Sequence, residues 1–228
     1  CPDVIQFLTY MAGRTEKALL GSMVVVLPWH DPIRVAEQIS MLDNLSGGRT
    51  VLAIGRGLAR VEFEGFRLEM SESRVRFAES AKMILDGLES GYCQYDGELI
   101  KQPRRDIRPS PFKSFKGRTY AAAVSPESAQ IIARLGAGVL IIPQKPWETA
   151  ALELDDYRET YRQVNGEEAP PPVVVGWTFC DEDEERAYDM ARRYMSGYWE
   201  SLMDHYEFKE GHLSNIKGYE YYDKFAEK

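Results

Sequence analysis

Four continuous apolar runs rich in β-branched side chains, at 19–27, 50–54, 138–142 and 173–179, and a smaller Ala-rich run at 120–124, are separated by stretches of helical period. Such runs lack the alternation of a strand with one wet face, so each reads as a strand buried on both faces. Between them Val35, Ile39 and Leu42 fall at i, i+4, i+7, and Phe77, Ala81, Ile84, Leu85 and Leu88 mark one face of a helix beginning near Ser71. Further helices are expected at 126–135, 147–164 and 184–206. Pro32 and Pro126 suit a first helical turn, and Ser125 suits an N-cap. Strand, helix, strand, helix in this order requires a parallel sheet with right-handed crossovers. The expected class is therefore α/β, either doubly wound or a (β/α)8 TIM barrel, and periodicity alone does not choose.

Composition removes several functions. Of 228 residues 44% are hydrophobic, enough for a sizeable core. The net charge of −8, with no Lys/Arg cluster, offers no positive stripe, so no nucleic-acid partner is expected. The first long uncharged stretch, 18–29, is too short for the roughly 18 apolar residues of a membrane span, so no membrane association is expected. Cys1, Cys93 and Cys180 are odd in number and far apart, as free thiols of a cytoplasmic protein would be. His30, His205 and His212 form no local metal motif, and no metal is expected. The chain opens at Cys1 without a basic region and apolar run, so no targeting peptide is read and a fragment is expected. The stretch 91–117, with Pro103, Pro109 and Pro111 among Arg104, Arg105 and Arg108, has no period and is expected as a long loop or insertion.

In both parallel architectures ligands sit at the carboxyl ends of strands. After the run at 50–54 come Gly55, Arg56 and Gly57: the glycines allow close backbone approach, and the arginine offers a fork to a phosphate. After 120–124 come Ser125, Pro126, Glu127 and Ser128, whose hydroxyls and free helix-start N–H groups make either an anion site or an ordinary N-cap. The first run ends on Met23, Val24 and, after Leu27, Trp29, apolar groups suited to a flat ring. His30 follows without a nameable partner carboxylate. No GxGxxG element is present for a dinucleotide.

The block 20–66 carries Leu27-Pro28 with Pro32 four residues on, Ala36-Glu37, the LD, LS and GR pairs within 42–49, the GRG at 55–57, and Glu62-Phe63. In these features it resembles the luciferase-like flavin monooxygenases, the superfamily of bacterial luciferase. The likeness continues through 73–85, the SPES turn at 125–128 and the KGYEYY at 217–222. The resemblance implies a (β/α)8 barrel binding reduced FMN, or in some branches a deazaflavin. The chain would be one luciferase-like barrel domain, 1–228, truncated at both ends and retaining strands three to seven. Arg56 would hold the flavin phosphate with Ser125 and Ser128, and Met23 and Val24 would match the cis-linked pair beneath the flavin ring. Gly55 stands where bacterial luciferase has a reactive cysteine, and Val124 where it has a glutamate. The family's catalytic histidine belongs to strands that would precede Cys1, so no catalytic residue is assigned. The implied reaction is FMN-dependent monooxygenation of a small organic substrate by dioxygen, with a separate flavin reductase. The alternatives are deazaflavin-dependent hydride transfer and a flavin-binding remnant without turnover. A homodimer through 33–45 is the other implied partner, unless that stripe is barrel core.

Overall fold

The computed structural model describes residues 3–142, 146–220 and 222. Its chain divides into two compact units, Cys1–Gly57 with Ser73–Val174, and Leu58–Glu72 with Val175–Lys228.

The first unit opens with α1 (Val4–Ala12), capped by the Asp3 carboxylate on Gln6 N–H. The sheet elements follow as β1 (Leu20–Gly21), β2 (Val25–Val26), β3 (Thr50–Gly55), the hairpin β4 (Tyr92–Asp96) and β5 (Lys101–Asp106), β6 (Thr119–Ala123), β7 (Gly138–Ile141) and β8 (Val173–Val174). Interleaved with them are α2 (Pro32–Leu45), α4 (Ser73–Ser90), α5 (Pro126–Arg134) and α6 (Trp147–Asn165). The main sheet is wholly parallel in the order β1-β3-β6-β7-β8, with β2 also on β3. These strands run in unbroken chain order, which decides what periodicity left open. A doubly wound sheet reverses its order at a switch point, whereas a barrel does not. The α/β class with part of a TIM barrel is therefore the observed fold.

The core lies between sheet and helices. Val35, Ala36 and Ile39 of α2, Phe77, Ala81 and Ile84 of α4, and Ile132 and Ala133 of α5 meet Leu52, Ile54, Ala121 and Val139 from the strands. Helix α2 starts where Asp31 accepts from the N–H groups of Ile33 and Arg34, with Pro32 in the first turn. Its apolar stripe is buried within this unit, and Met41 and Leu45 are left exposed.

Three expectations are corrected. The run 19–27 is not one strand: β1 and β2 are separate, and Leu27–Trp29 forms a 3-10 turn. The run 173–179 is strand only at Val173–Val174. The helix expected near Ser71 begins at Ser73, behind the 3-10 turn Met70–Glu72. Within 91–117 lies the antiparallel hairpin β4–β5. Its turn is held by the buried Glu79 carboxylate of α4, which accepts from the N–H groups of Glu98, Leu99 and Ile100.

The second unit holds α3 (Arg60–Gly65) and α7 (Glu184–His205). The Arg60 guanidinium donates to both Glu207 oxygens, at 3.0 and 2.5 Å. That bond holds the Glu207 carboxyl below its usual range. Among the described residues no helix is long and apolar enough to cross a membrane.

Candidate active site

The carboxyl edge of the sheet gathers the residues singled out by sequence. Between β1 and β2, Gly21 pairs with Val51 and Val25 with Ile54, so four residue steps on one side oppose three on the other. This is a bulge, which bends a strand and re-aims its side chains. The Met23–Val24 peptide is cis, as the resemblance implies, and Met23 has φ 27°. Met23 is 49% exposed although it lies between buried Ser22 and buried Val25. An apolar side chain is thus presented at the edge.

Val24 leans onto the end of β3. A Cβ built on Gly55 would lie 2.5 Å from Val24 Cγ2, closer than real Cβ contacts come. Glycine at 55 is therefore required by the neighbouring side chain. Gly57 is required for a different reason, because its φ of 85° is a conformation that L side chains rarely adopt. Between them Arg56 is half-buried at the strand end.

Two residues beyond β6, Ser125 has extended backbone and caps α5. Its Oγ accepts from Ser128 N–H at 3.2 Å and lies 2.8 Å from Ser128 Oγ. Both hydroxyls thus converge on a helix start, whose unused N–H groups favour an anion. Because β3 and β6 are paired, Arg56 and Ser125 follow neighbouring strands on the same edge. Sequence reasoning missed Arg74, in the first turn of α4, which forms an ion pair with Glu127 of the α5 start. Nothing in the local pattern marks it, since the proximity arises only when α4 and α5 pack.

A cavity of about 560 Å³ contains none of these groups. Its walls, including Phe115, Thr119, Gly136 and Tyr161, lie toward the amino ends of β6 and β7. The chemistry of the donor set, and not cavity size, locates the candidate site. A smaller recess at the carboxyl edge is lined by Ser125, Ile141, Ile142, Leu154 and Tyr157. In the second unit Glu207, Glu210 and His212 offer ligand atoms within 4.8 Å of one another. Arg60 already supplies the cation for both carboxylates, at 2.5 and 3.7 Å.

A sequence profile of the luciferase-like monooxygenases matches residues 1–227. The chain belongs to that family. Among curated relatives of this luciferase-like chain, the alkanal monooxygenase beta chain of Photorhabdus luminescens is 26% identical over 194 residues, covering 83% of this chain and 59% of the relative. The alpha chain from the same organism is 26% identical over 198 residues, covering 86% and 54%. The chain thus spans somewhat more than half the length of these relatives. Among solved structures, the monooxygenase RslO1 from Streptomyces bottropensis superposes with a TM-score of 0.82 at 24% identity, covering 94% of this chain and 65% of that one. The oxygenating component of 3,6-diketocamphane monooxygenase from Pseudomonas putida, in complex with FMN, gives 0.66 at 16% identity, with coverage of 92% and 65%. A coenzyme F420-dependent secondary alcohol dehydrogenase gives 0.70 at 16%, with coverage of 84% and 59%. At these identities the structural likenesses establish the fold of the luciferase-like chain, while its cofactor has to be argued from its own residues.

Proposed function

We propose that the chain carries the cofactor-binding part of a flavin-dependent monooxygenase, which oxidises a small organic substrate with reduced FMN and dioxygen. The observation that carries this reading is the sharing of one sheet edge by two unlike surfaces. Arg56 with Ser125 and Ser128 forms an anion grip at the ends of β3 and β6, and Met23 with Val24 forms an apolar wall at the neighbouring strand break. A guanidinium, two hydroxyls and helix-start N–H groups suit a phosphate dianion. An apolar wall beside them suits a flat ring. The donor set therefore fits a flavin mononucleotide. Arg56, Ser125 and Ser128 would hold its phosphate, while Met23, Val24 and the bare backbone of Gly55 would flank the ring. Bound reduced flavin supplies the electrons for oxygen activation, and the residues around it orient the ring and keep water away. No residue is given an acid–base role. A single barrel domain, delivery of reduced cofactor by a separate reductase, a homodimer covering Met41 and Leu45 of α2, and a cytoplasmic setting belong to the same proposal.

A second reading, deazaflavin-dependent hydride transfer, is favoured by the likeness to the F420-dependent dehydrogenase, because a phosphate grip and an uncharged wall serve a deazaflavin as well. Titration with FMN and with coenzyme F420, followed by oxygen uptake with candidate substrates, separates the readings. Preference for the deazaflavin replaces the first by the second. Flavin binding without substrate-dependent oxygen uptake favours a binding role without turnover. Arg56→Ala should weaken FMN binding by about 2 kcal/mol, roughly 30-fold, through loss of a charge-assisted pair. Unchanged affinity removes Arg56 from the site.

A further inference from the structure

Within 19–27, Ser22 is the one side chain with a hydrogen-bonding group, and it is 2% exposed. The bulge between β1 and β2 explains why it is there. At the ladder position where the bulge interrupts regular pairing, Ala53 of β3 presents a buried N–H and C=O toward the missing partner. One hydroxyl serves both: Ser22 Oγ donates to Ala53 O at 2.6 Å and accepts from Ala53 N–H at 2.8 Å. Its own backbone N–H donates to Val51 O at 3.3 Å. Ser22 is thus tied to β3 at two successive ladder positions, immediately before Met23 and Val24. On the far side of the bulge, β2 resumes pairing with Ile54 and Gly55. The segment is pinned at both ends, and Val24 is held against Gly55.

We propose that Ser22 is a positioning residue for the cofactor, fixing the Met23–Val24 wall through its paired hydrogen bonds to Ala53. This rests on the reading of that wall as the ring-facing surface. Without the hydroxyl, both Ala53 groups lose their partner in a water-free place, and the segment relaxes to recover hydrogen bonds. The wall then shifts relative to the phosphate grip, which is built on β3, β6 and α5 and does not involve Ser22.

The test compares wild type, Ser22→Ala and Ser22→Thr, the last keeping the hydroxyl. Amide hydrogen exchange without any ligand reads the pin directly, while affinities for FMN, riboflavin and coenzyme F420 and the visible circular dichroism of bound flavin read the site. Ser22→Ala should speed exchange across 23–26 and at Ala53 at least tenfold and weaken FMN and riboflavin alike, by about tenfold. The ratio of the two affinities, which reports the phosphate grip, should not change. The dichroism of bound flavin should change, and Ser22→Thr should restore wild-type behaviour. Unchanged exchange in Ser22→Ala overturns the pin. Faster exchange with unchanged flavin affinity and dichroism leaves Ser22 a purely structural residue and overturns the proposal, as does a Thr variant no better than Ala. A wild-type protein binding neither FMN nor F420 overturns the cofactor reading itself, and is recognised by exchange differences that persist. Should Ser22→Ala fail to fold, Ser22→Cys, with a weak donor and acceptor, carries the same comparison.

Discussion

Gly55→Ala should destabilise the protein in one background and stabilise it in another. The added methyl has two effects of opposite sign. It restricts the unfolded chain, which stabilises by about 0.4–1 kcal/mol wherever the native backbone accepts alanine. Gly55 lies in β3 and its φ is outside the left-handed region, so the backbone accepts it. Against this, the new Cβ would stand 2.5 Å from Val24 Cγ2, and overpacking of this kind costs about 1–3 kcal/mol. The steric cost outweighs the gain, for a net loss of up to about 2.6 kcal/mol. In Val24→Ala the offending methyl is gone and the nearest atom of residue 24 is Cβ at 3.4 Å, an ordinary contact. There only the unfolded-state effect remains, and Gly55→Ala should stabilise by a few tenths of a kcal/mol or more. Chemical denaturation of the four proteins gives the cycle, with an expected coupling of about 1–3 kcal/mol. Equal effects of Gly55→Ala in both backgrounds would refute the steric account of this glycine. Flavin affinity measured on the same proteins should follow the sign of the stability change, because the displaced group is the wall itself.

Three other results are expected. Asp43→Ala removes a fully buried carboxylate that accepts from both Arg118 Nη atoms, at 2.5 and 2.8 Å, and from Lys113 N–H. Leaving Arg118 with carbonyl partners and the Phe115 ring but no carboxylate should cost about 3–5 kcal/mol, visible as a fall in Tm, without altering the ratio of FMN to riboflavin affinity. Burial pushes the Cys93 thiol up to about 11 from 9.0, so its contribution to stability is complete below pH 9 and is lost as pH rises toward 11. Cys93→Ala should flatten that part of the stability profile, and an unaltered profile counts against the burial argument. In the native protein a thiol reagent should label exposed Cys180 long before buried Cys93, and equal labelling would contradict the packing of β4 on α4.

The barrel strands were legible because strands covered on both faces are written as continuous apolar runs. The same property hid the break at 22–24. Met23 and Val24 are as apolar as their neighbours, and the one-residue slip against β3 exists only in the pairing. Gly21 and Ser22 were the local signals. Hairpin β4–β5 was illegible for the opposite reason. The sequence KQPRRD of β5 is almost wholly exposed, so no alternation marks it, and its hold comes from Glu79 and from Arg104 stacked 3.6 Å over Tyr92. Helix α1, VIQFLTYMA, was missed because polar spacing is too sparse to show a helical stripe, with Phe7 and Tyr10 exposed beside buried Ile5 and Leu8. Of the proposed site, Arg56, Ser125 and Ser128 could be singled out because they stand just past the ends of apolar runs. Arg74 was not, because it stands on a helix whose start is far in sequence from either strand end.

The two edges of the parallel sheet differ in a way that bears on where ligands go. At the amino edge every strongly polar group noted is satisfied internally. Asp43 is bound by Arg118, Ser46 Oγ lies 3.2 Å from Thr50 Oγ1, and the Arg49 guanidinium donates to Ser46 O, Thr15 Oγ1, Ala18 O, Ala12 O and Thr15 O. Such an edge stabilises, and its large cavity meets side chains whose hydrogen bonds are already committed, as Glu89 is to Ser114 and Phe115. At the carboxyl edge the opposite choices appear: an exposed methionine on a bulge, a glycine kept bare for its neighbour, a second glycine with positive φ, and two hydroxyls at a helix start. The bulge with its exposed methionine weakens the fold locally when compared with a regular strand end, and a protein keeps such a feature where a ligand offsets it. The hydroxyls, by contrast, cap α5 at a helix start suited to an anion. The asymmetry supports the proposed cofactor site at the carboxyl edge, although a larger cavity lies elsewhere.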